Sequence, residues 1–110
     1  MKKSGEIIKM DYKIIISVDA ENDTNNAYIY YEDIQNGLGE RFLSELVEFY
    51  QKIKDHPTYF SFVSKTQTIR SVALKIFPYK IVYEIDGDKI YVFAVYHFRK
   101  NPDELNKRLS

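Results

Sequence analysis

The hydrophobic and polar positions of the first half predict a strand followed by a helix. A β-branched run from Lys13 to Val18 predicts the strand, and because its apolar positions are continuous we expect it to be buried. Asp19 is a suitable N-cap for a helix that continues to about Ile34. Asn36-Gly37 and Gly39 then interrupt the helical pattern.

The next segment has the clearest helical periodicity in the chain. Its apolar residues recur at spacings of three and four, at Leu38, Phe42, Leu46, Phe49 and Ile53. Charged residues, Glu45 among them, lie off that line. His56-Pro57 ends the helix. Two helices joined by a short glycine-bearing link predict an antiparallel helical hairpin.

Three strands are predicted in the second half. They cover about Ile69–Ile76, Tyr79–Ile85 and Ile90–Phe98, and Asp86-Gly87-Asp88 is a strong hairpin turn between the last two. Asp103–Leu109 has the composition of one or two helical turns.

The element order is therefore β-α-α-β-β-β with a short tail. Consecutive strands after a helical hairpin are typical of the α+β class, here an N-terminal strand, an antiparallel helical hairpin and a three-stranded antiparallel sheet. We expect residues 1–110 to form a single domain, with the helices on one face of the sheet and a groove near the C-terminal tail.

Composition restricts the class of protein. The chain has no cysteine, which excludes disulfides and thiolate metal sites and makes the cytoplasm the expected location. It has no apolar run long enough to span a membrane, and no motif for a cofactor or metal. Residues 1–9 are polar and add nothing to the core pattern, so they could form a flexible tail.

The formal net charge is 0, which argues against a general nucleic-acid binder. The charge is nevertheless uneven along the chain. Residues 1–55 contain 7 Lys/Arg and 11 Asp/Glu, whereas residues 56–110 contain 9 Lys/Arg and 5 Asp/Glu. The second half could therefore present a basic face, although ordinary scatter over a solvated surface would look the same.

Four stretches of the chain are together similar to one known family. They are Ala27-Tyr28-Ile29-Tyr30-Tyr31, Gly37-Leu38-Gly39-Glu40-Arg41-Phe42, Phe77-Pro78-Tyr79-Lys80-Ile81-Val82-Tyr83-Glu84-Ile85, and Ile90 to Pro102 with its His97-Phe98-Arg99-Lys100-Asn101-Pro102 end. In this order and at this spacing they resemble the RelE/ParE toxin superfamily, which includes plasmid stabilisation proteins. The resemblance spans about Tyr12 to Arg108.

The resemblance implies the toxin of a type II toxin–antitoxin system, neutralised by an antitoxin encoded beside it. RelE-like toxins cleave messenger RNA on the ribosome, ParE-like toxins are linked to inhibition of DNA gyrase, and some members have no demonstrated toxicity. The third and fourth stretches are nearer the ParE-like branch. We therefore expect a ParE-like toxin, with a RelE-like endoribonuclease and a non-toxic binding module as alternatives. A homodimer or a heterotetramer with the antitoxin is the corresponding assembly.

Cleavage of RNA by its 2′-hydroxyl would require a base, an acid and cations around the phosphate. The candidates for these roles are Arg70, Lys75, Lys80, His97 and Arg99. Lys80 stands where RelE-like toxins often carry arginine, and lysine lacks the planar fork that binds phosphate twice. Strand alternation predicts that His97 and Arg99 share one side of a continuing strand.

Each candidate also has a structural interpretation. His97 follows Tyr91, Phe93 and Val95 on the predicted face and could be a histidine at the edge of the core. Arg99 could hold the C-terminal tail through an acidic residue or meet a carboxylate of the antitoxin. Arg70 and Lys80 could be solvated strand residues. Neutral net charge and the scarcity of Lys/Arg between residues 58 and 68 weigh against a ribonuclease.

The antitoxin is expected to be an acidic amphipathic segment. The aromatic-rich helices and a sheet edge, rimmed by basic residues of the C-terminal half, would receive it.

Overall fold

The computed structural model describes residues 11–63 and 66–109, so the predicted tail at residues 1–9 lies outside it. The elements are β1 (Lys13–Ile16), α1 (Val18–Ile34), α2 (Leu38–Asp55), β2 (Ile69–Ala73), β3 (Tyr79–Asp86), β4 (Lys89–His97) and α3 (Glu104–Leu109). This order confirms the predicted α+β fold. None of the helices in the described ranges combines the length and the apolar content needed to cross a bilayer.

The sheet has four strands rather than three, in the order β1-β4-β3-β2. β2, β3 and β4 are antiparallel as predicted, whereas β1 adds to β4 in parallel, with Lys13 opposite Lys89 and Ile16 opposite Val92. β1 is therefore an edge strand, and its Ile15 and Ile16 remain 39% and 37% exposed. The prediction that this strand is buried was wrong, because a β-branched run suits an edge as well as an interior position.

The N-terminus of α1 is set by Ser17 and not by Asp19. The Ser17 side chain accepts a hydrogen bond from the backbone N–H of Ala20 at 3.0 Å, while Asp19 lies in the first helical turn, where its negative charge is favourable. Ala20, Ala27 and Tyr31 form the buried face of the helix. The predicted end at Ile34 is confirmed.

The link between the helices is stabilised by a carboxylate from α1. Gly37 has a φ of 90° and supplies no side-chain cap. Glu32 instead accepts hydrogen bonds from the backbone N–H groups of Gly37 and Gly39, both at 3.0 Å, and so caps the N-terminus of α2. At Gly39 the helices approach so closely that a Cβ would lie 2.8 Å from the Tyr28 carbonyl oxygen.

In α2 the apolar line is confirmed, and one charged residue off that line is also buried. Phe42, Leu46, Phe49 and Ile53 are buried, and so is Glu45, which is only 6% exposed. The Glu45 carboxylate accepts hydrogen bonds from the backbone N–H groups of residues 75, 76 and 77, at 3.0, 2.7 and 2.9 Å. Glu45 is thus buried although it lies off the apolar line, because its carboxylate holds the β2–β3 bend against α2.

A β-bulge in β4 changes which residues share a face. Val82 is opposite Ala94 but Tyr83 is opposite Val92, so Phe93 is an extra residue in β4. Val92 and Val95 consequently both pack in the main core against the helices, while Phe93 packs in a second cluster on the other side of the sheet. The predicted face of Tyr91, Phe93, Val95 and His97 was wrong, because simple alternation does not continue across a bulge.

The second cluster is covered by the C-terminal helix. Val82, Ala94 and Tyr96 are its sheet residues, and Leu105 of α3 packs on them, 8% exposed. α3 therefore lies on the opposite side of the sheet from most of the helical hairpin, as expected for the tail.

We expect Glu45→Gln to lower the free energy of unfolding by at least about 2 kcal/mol, because charge-assisted hydrogen bonds to buried N–H groups are lost and the new amide N–H₂ faces donors. Urea denaturation followed by circular dichroism measures it. The control is Glu48→Gln on the same helix, where the side chain is 61% exposed and pairs only with Lys52; we expect a change below about 0.5 kcal/mol. Equal effects would contradict the role given to Glu45.

Candidate functional site

A groove of about 360 Å³ lies between α1, the end of β4 and the C-terminal segment. The residues that line it come from these three parts: Asp23, Asn26, Ala27 and Tyr30 from α1; Tyr79, Val95, Tyr96 and His97 from the sheet; Lys100, Asn101, Glu104 and Arg108 from the C-terminal segment. It combines aromatic rings with charges of both signs, which suits binding of an amphipathic partner.

The groove exists because β1 is shorter than β4. β1 ends at Ile16, opposite Val92, and among the residues that the structure describes no strand pairs with the rest of β4 on that side. Two side chains satisfy part of the uncovered backbone: Ser17 Oγ donates to the Phe93 carbonyl at 3.3 Å, and Asp23 accepts from the Val95 N–H at 2.9 Å. Beyond Val95 the open side of β4 faces the groove.

On one side the groove is closed by an ion pair between Asp23 of α1 and Arg108 of α3. Arg108 donates through both terminal nitrogens to the two Asp23 oxygens, at 2.6 and 2.7 Å, and through Nε to Glu104 at 2.7 Å. The hydrogen bonds to Asp23 are the main reason that the pKa of Arg108 is raised, and those to Glu104 add to it. The Arg108 guanidinium therefore binds Asp23 through its terminal nitrogens and Glu104 through Nε.

His97 ends β4 at the floor of the groove. Its ring contacts that of Tyr79 edge-on, with centroids 5.1 Å apart, and its Nδ1 accepts a hydrogen bond from the Lys100 backbone N–H at 2.9 Å. Burial lowers the pKa of His97, and the cations of Lys100 and Arg99 lower it further. The neutral ring, with its proton on Nε2, is thus the favoured form.

Lys100 carries the cation that faces the groove from the turn after β4. Its Nζ donates to the Tyr30 hydroxyl at 2.8 Å and lies 4.1 Å from the centroid of the same ring. Its bonding partner is a neutral group, so the positive charge is not compensated by that contact. Tyr30 itself is 45% exposed.

Two other predicted residues flank Phe98, which packs in the second cluster on the other side of the sheet. The Lys80 Nζ lies 5.3 Å and the Arg99 guanidinium carbon 5.9 Å from the centroid of the Phe98 ring. β4 ends at His97, so Arg99 lies in the turn that follows. The prediction that His97 and Arg99 share one side of a continuing strand was therefore wrong, because the chain turns after His97.

Arg70 is separated from the other candidates. It is opposite Tyr83, while Lys80 is opposite Tyr96 at the far end of β3, about 10 Å along the strand. The Arg70 guanidinium donates to the carbonyls of residues 58 and 60, at 3.2 and 2.6 Å, and stacks on Phe62 at 3.9 Å. It holds the connection between α2 and β2.

The backbone of Lys75 likewise belongs to the bend held by Glu45. Lys80 and Arg99 thus meet at Phe98 at the end of the sheet. His97 packs on Tyr79 on the groove side of the sheet, and Arg70 and Lys75 lie elsewhere. Asp23 and Lys100, which shape and charge the groove, were not among the residues predicted from the sequence. The Asp23–Arg108 contact joins residues 85 positions apart, so no local pattern reports it.

Comparison with known proteins agrees with this architecture. The family model described as "ParE toxin of type II toxin-antitoxin system, parDE" matches residues 14–102. Among solved structures, a chain of the "Chromosomal ParDE TA system from P. aeruginosa" is similar in fold, with a TM-score of 0.69 and 13% identity, covering 79% of this chain and 96% of that one. No curated protein sequence matches this chain.

We expect an NMR titration to give His97 a pKa below its ordinary value of 6.5, and Lys100→Gln to raise it partway back because a nearby cation is removed. The folded state prefers the neutral ring, so the contribution of His97 to stability is present above pH 6.5 and is lost as the pH falls through the folded pKa. A pKa at or above 6.5, or one unaffected by Lys100→Gln, would contradict this description.

Proposed function

Because this chain belongs to the ParE toxin family of type II toxin–antitoxin systems, we propose that it blocks growth by inhibiting DNA gyrase in the cytoplasm. We further propose that a cognate antitoxin neutralises it by placing an acidic amphipathic segment in the groove between α1 and the C-terminal segment. The family match over residues 14–102 is the observation that carries the gyrase proposal.

The positions of the candidate catalytic residues support gyrase over messenger RNA as the target. A ribonuclease of this fold would need cations and an acid or base gathered around one phosphate. Here the Arg70 guanidinium is engaged with backbone carbonyls, and the Nδ1 of His97 is already an acceptor. Lys80 and Arg99 remain as cations beside Phe98, which suits contact with an anionic surface better than proton transfer.

The antitoxin site follows from the chemistry of the groove. Lys100 places positive charge in the groove, and Arg99 lies next to it in the turn after β4, whereas Arg108 is already paired with Asp23 and Glu104. Tyr30 offers a half-exposed ring next to Lys100. A segment with carboxylates on one side and apolar residues on the other would pair with the cations and cover the aromatic surface.

A supercoiling assay tests the gyrase proposal. Purified chain is added to gyrase, relaxed plasmid and ATP, and the supercoiled product is measured on a gel. We expect a dose-dependent loss of supercoiling that disappears when the antitoxin is added first. In parallel, the chain is induced in growing cells and the 5′ ends of messenger RNA are mapped; we expect no new cleavage sites.

Two results of that pair of assays would overturn the gyrase proposal. Unimpaired supercoiling together with new messenger-RNA ends, lost in His97→Ala or Arg99→Ala, would establish the RelE-like activity. Unimpaired supercoiling, intact transcripts and normal growth would establish a non-toxic binding module.

The antitoxin proposal makes Lys100 a contact residue. We expect Lys100→Gln to weaken binding of the protein encoded by the adjacent short reading frame by about fivefold at low ionic strength, roughly the value of one partly exposed charge pair. The difference should shrink as salt is added. Lys54→Gln, which removes a lysine from the last turn of α2, is the matched control. Equal affinities of the two variants by calorimetry would rule out this placement of the antitoxin.

A further inference from the structure

The link between α1 and α2 contains an Asn-Gly pair that the proposed function does not use. Asn36 and Gly37 are the two central residues of a tight turn, which a hydrogen bond from the Leu38 N–H to the Gln35 carbonyl closes at 3.0 Å. Both residues of the pair are exposed. Gly37 has a φ of 90°, and a Cβ added to it would meet no atom within 4 Å, so the backbone here is open to solvent.

An asparagine that precedes glycine can react with its own backbone. The side-chain carbon Cγ of Asn36 can close a small ring with the backbone nitrogen of Gly37, and glycine has no Cβ to hinder that closure. Asparagine is accordingly one of the thermolabile residues of proteins. Gly37 is also the N-cap of α2, where the positive end of the helix dipole favours negative charge on the nitrogen as its proton leaves.

The other asparagines of the chain lack this combination. Three of them lie within α1, where the next N–H group belongs to the hydrogen-bond ladder of the helix: Asn22, Asn25 and Asn26. Asn101 precedes Pro102, which has no N–H group. Asn106 lies in α3, and the N–H group after it donates to the Asp103 carbonyl at 3.1 Å. Asn36 is thus set apart by its local structure as well as by the glycine that follows it.

Glu32 holds the backbone nitrogen that would react. Its Oε2 accepts a hydrogen bond from the Gly37 N–H at 3.0 Å, while its Oε1 accepts one from the Gly39 N–H at the same distance. The bond to the Asn36 Cγ would form in the direction in which the Gly37 N–H points, and the carboxylate occupies that direction. A neighbouring negative charge also opposes loss of the proton from the nitrogen. The hydrogen bond must therefore be released before the ring can close.

We propose that Asn36 is a site of spontaneous covalent modification and that the Glu32 carboxylate sets its rate. When Glu32 releases the Gly37 N–H, the nitrogen loses its proton and forms a bond to the Asn36 Cγ. The Cγ–Nδ2 bond breaks, and the Nδ2 group leaves as ammonia with that proton, so that a cyclic imide joins residues 36 and 37. One water molecule then opens the imide. Breaking the new bond at Cγ gives aspartate, and breaking the original peptide bond gives isoaspartate.

Both products weaken the link between the helices. Each places a new carboxylate on the residue next to Gly37, where it repels the Glu32 carboxylate that caps α2. Isoaspartate also adds a carbon atom to the main chain of a closely fitted link, in which a Cβ at Gly39 would lie 2.8 Å from the Tyr28 carbonyl oxygen. We therefore expect the modified chain to unfold at a lower temperature than the unmodified chain.

Peptide mapping by mass spectrometry, during incubation of the folded chain at neutral pH, tests the proposal. Replacement of the amide by a carboxylate raises the mass of the peptide that contains Asn36, and an isoaspartyl methyltransferase assay detects the isoaspartate product. We expect both signals to grow with time at Asn36, while Asn25 and Asn26 stay unmodified. Asn36→Gln keeps an amide but would have to close a larger ring, so it should give neither signal and should keep its melting temperature.

Variants of Glu32 test its control of the rate. Glu32→Ala frees the Gly37 N–H, and we expect modification at Asn36 to become about tenfold faster, the factor that corresponds to loss of one hydrogen bond to a charged group. Glu32→Gln keeps a single acceptor oxygen for the two N–H groups and should have an intermediate rate. Asp33→Ala is the matched control, because it removes an exposed carboxylate from the next position of α1. It should react at the rate of the unchanged chain, and circular dichroism confirms that each variant is folded.

Two results would overturn this proposal. One is the absence of modified peptide from the folded chain and from folded Glu32→Ala, while the urea-unfolded chain is modified at Asn36. The other is an equal rate in the unchanged chain, in both folded Glu32 variants and in Asp33→Ala, since Glu32 would then have no control of the reaction. Neither result depends on supercoiling or on antitoxin binding, so failure here is distinguishable from failure of the proposed function.

Discussion

The Asp23 carboxylate is the contact on which the candidate site depends. It lies on α1, accepts a hydrogen bond from the Val95 N–H on the uncovered side of β4, and binds the Arg108 guanidinium of α3 through both oxygens. One half-buried charge thus joins a helix, a sheet edge and the C-terminal helix. Without it the Val95 N–H would lose its acceptor, and α3 would lose its ion pair to α1 while keeping the packing of Leu105 on the sheet.

Much of the fold could be predicted because its elements depend on local patterns in the sequence. The three-and-four spacing of α2, the alternation of β3 and the Asp86-Gly87-Asp88 turn each depend on neighbouring residues, and each was confirmed. The errors came from non-local features. A run of isoleucines does not distinguish a buried strand from an edge strand, and the bulge at Phe93 leaves no recognisable signal in an apolar segment although it reverses the faces of β4.

The parts of the candidate site that were predicted depend on local sequence patterns, and the parts that were missed depend on non-local contacts. Lys80, His97 and Arg99 were brought to one end of the sheet because they lie in or directly after two strands joined by a hairpin. Asp23 and Glu45 are charged residues on helices, and their roles depend on partners far along the chain, which no local pattern indicates. Both residues satisfy backbone N–H groups, a requirement that becomes visible only once the chain path is known.

Asp23 links the open side of β4 to α3, and amide hydrogen exchange in Asp23→Ala is the most direct test of this claim. If the claim holds, the amides of Val95 and of the last turn of α3 exchange faster together, while the Ile81 and Tyr83 amides of the central strand keep the protection they have in the unchanged chain. Unchanged exchange at Val95 and in α3, in a variant that has lost this carboxylate, would contradict it.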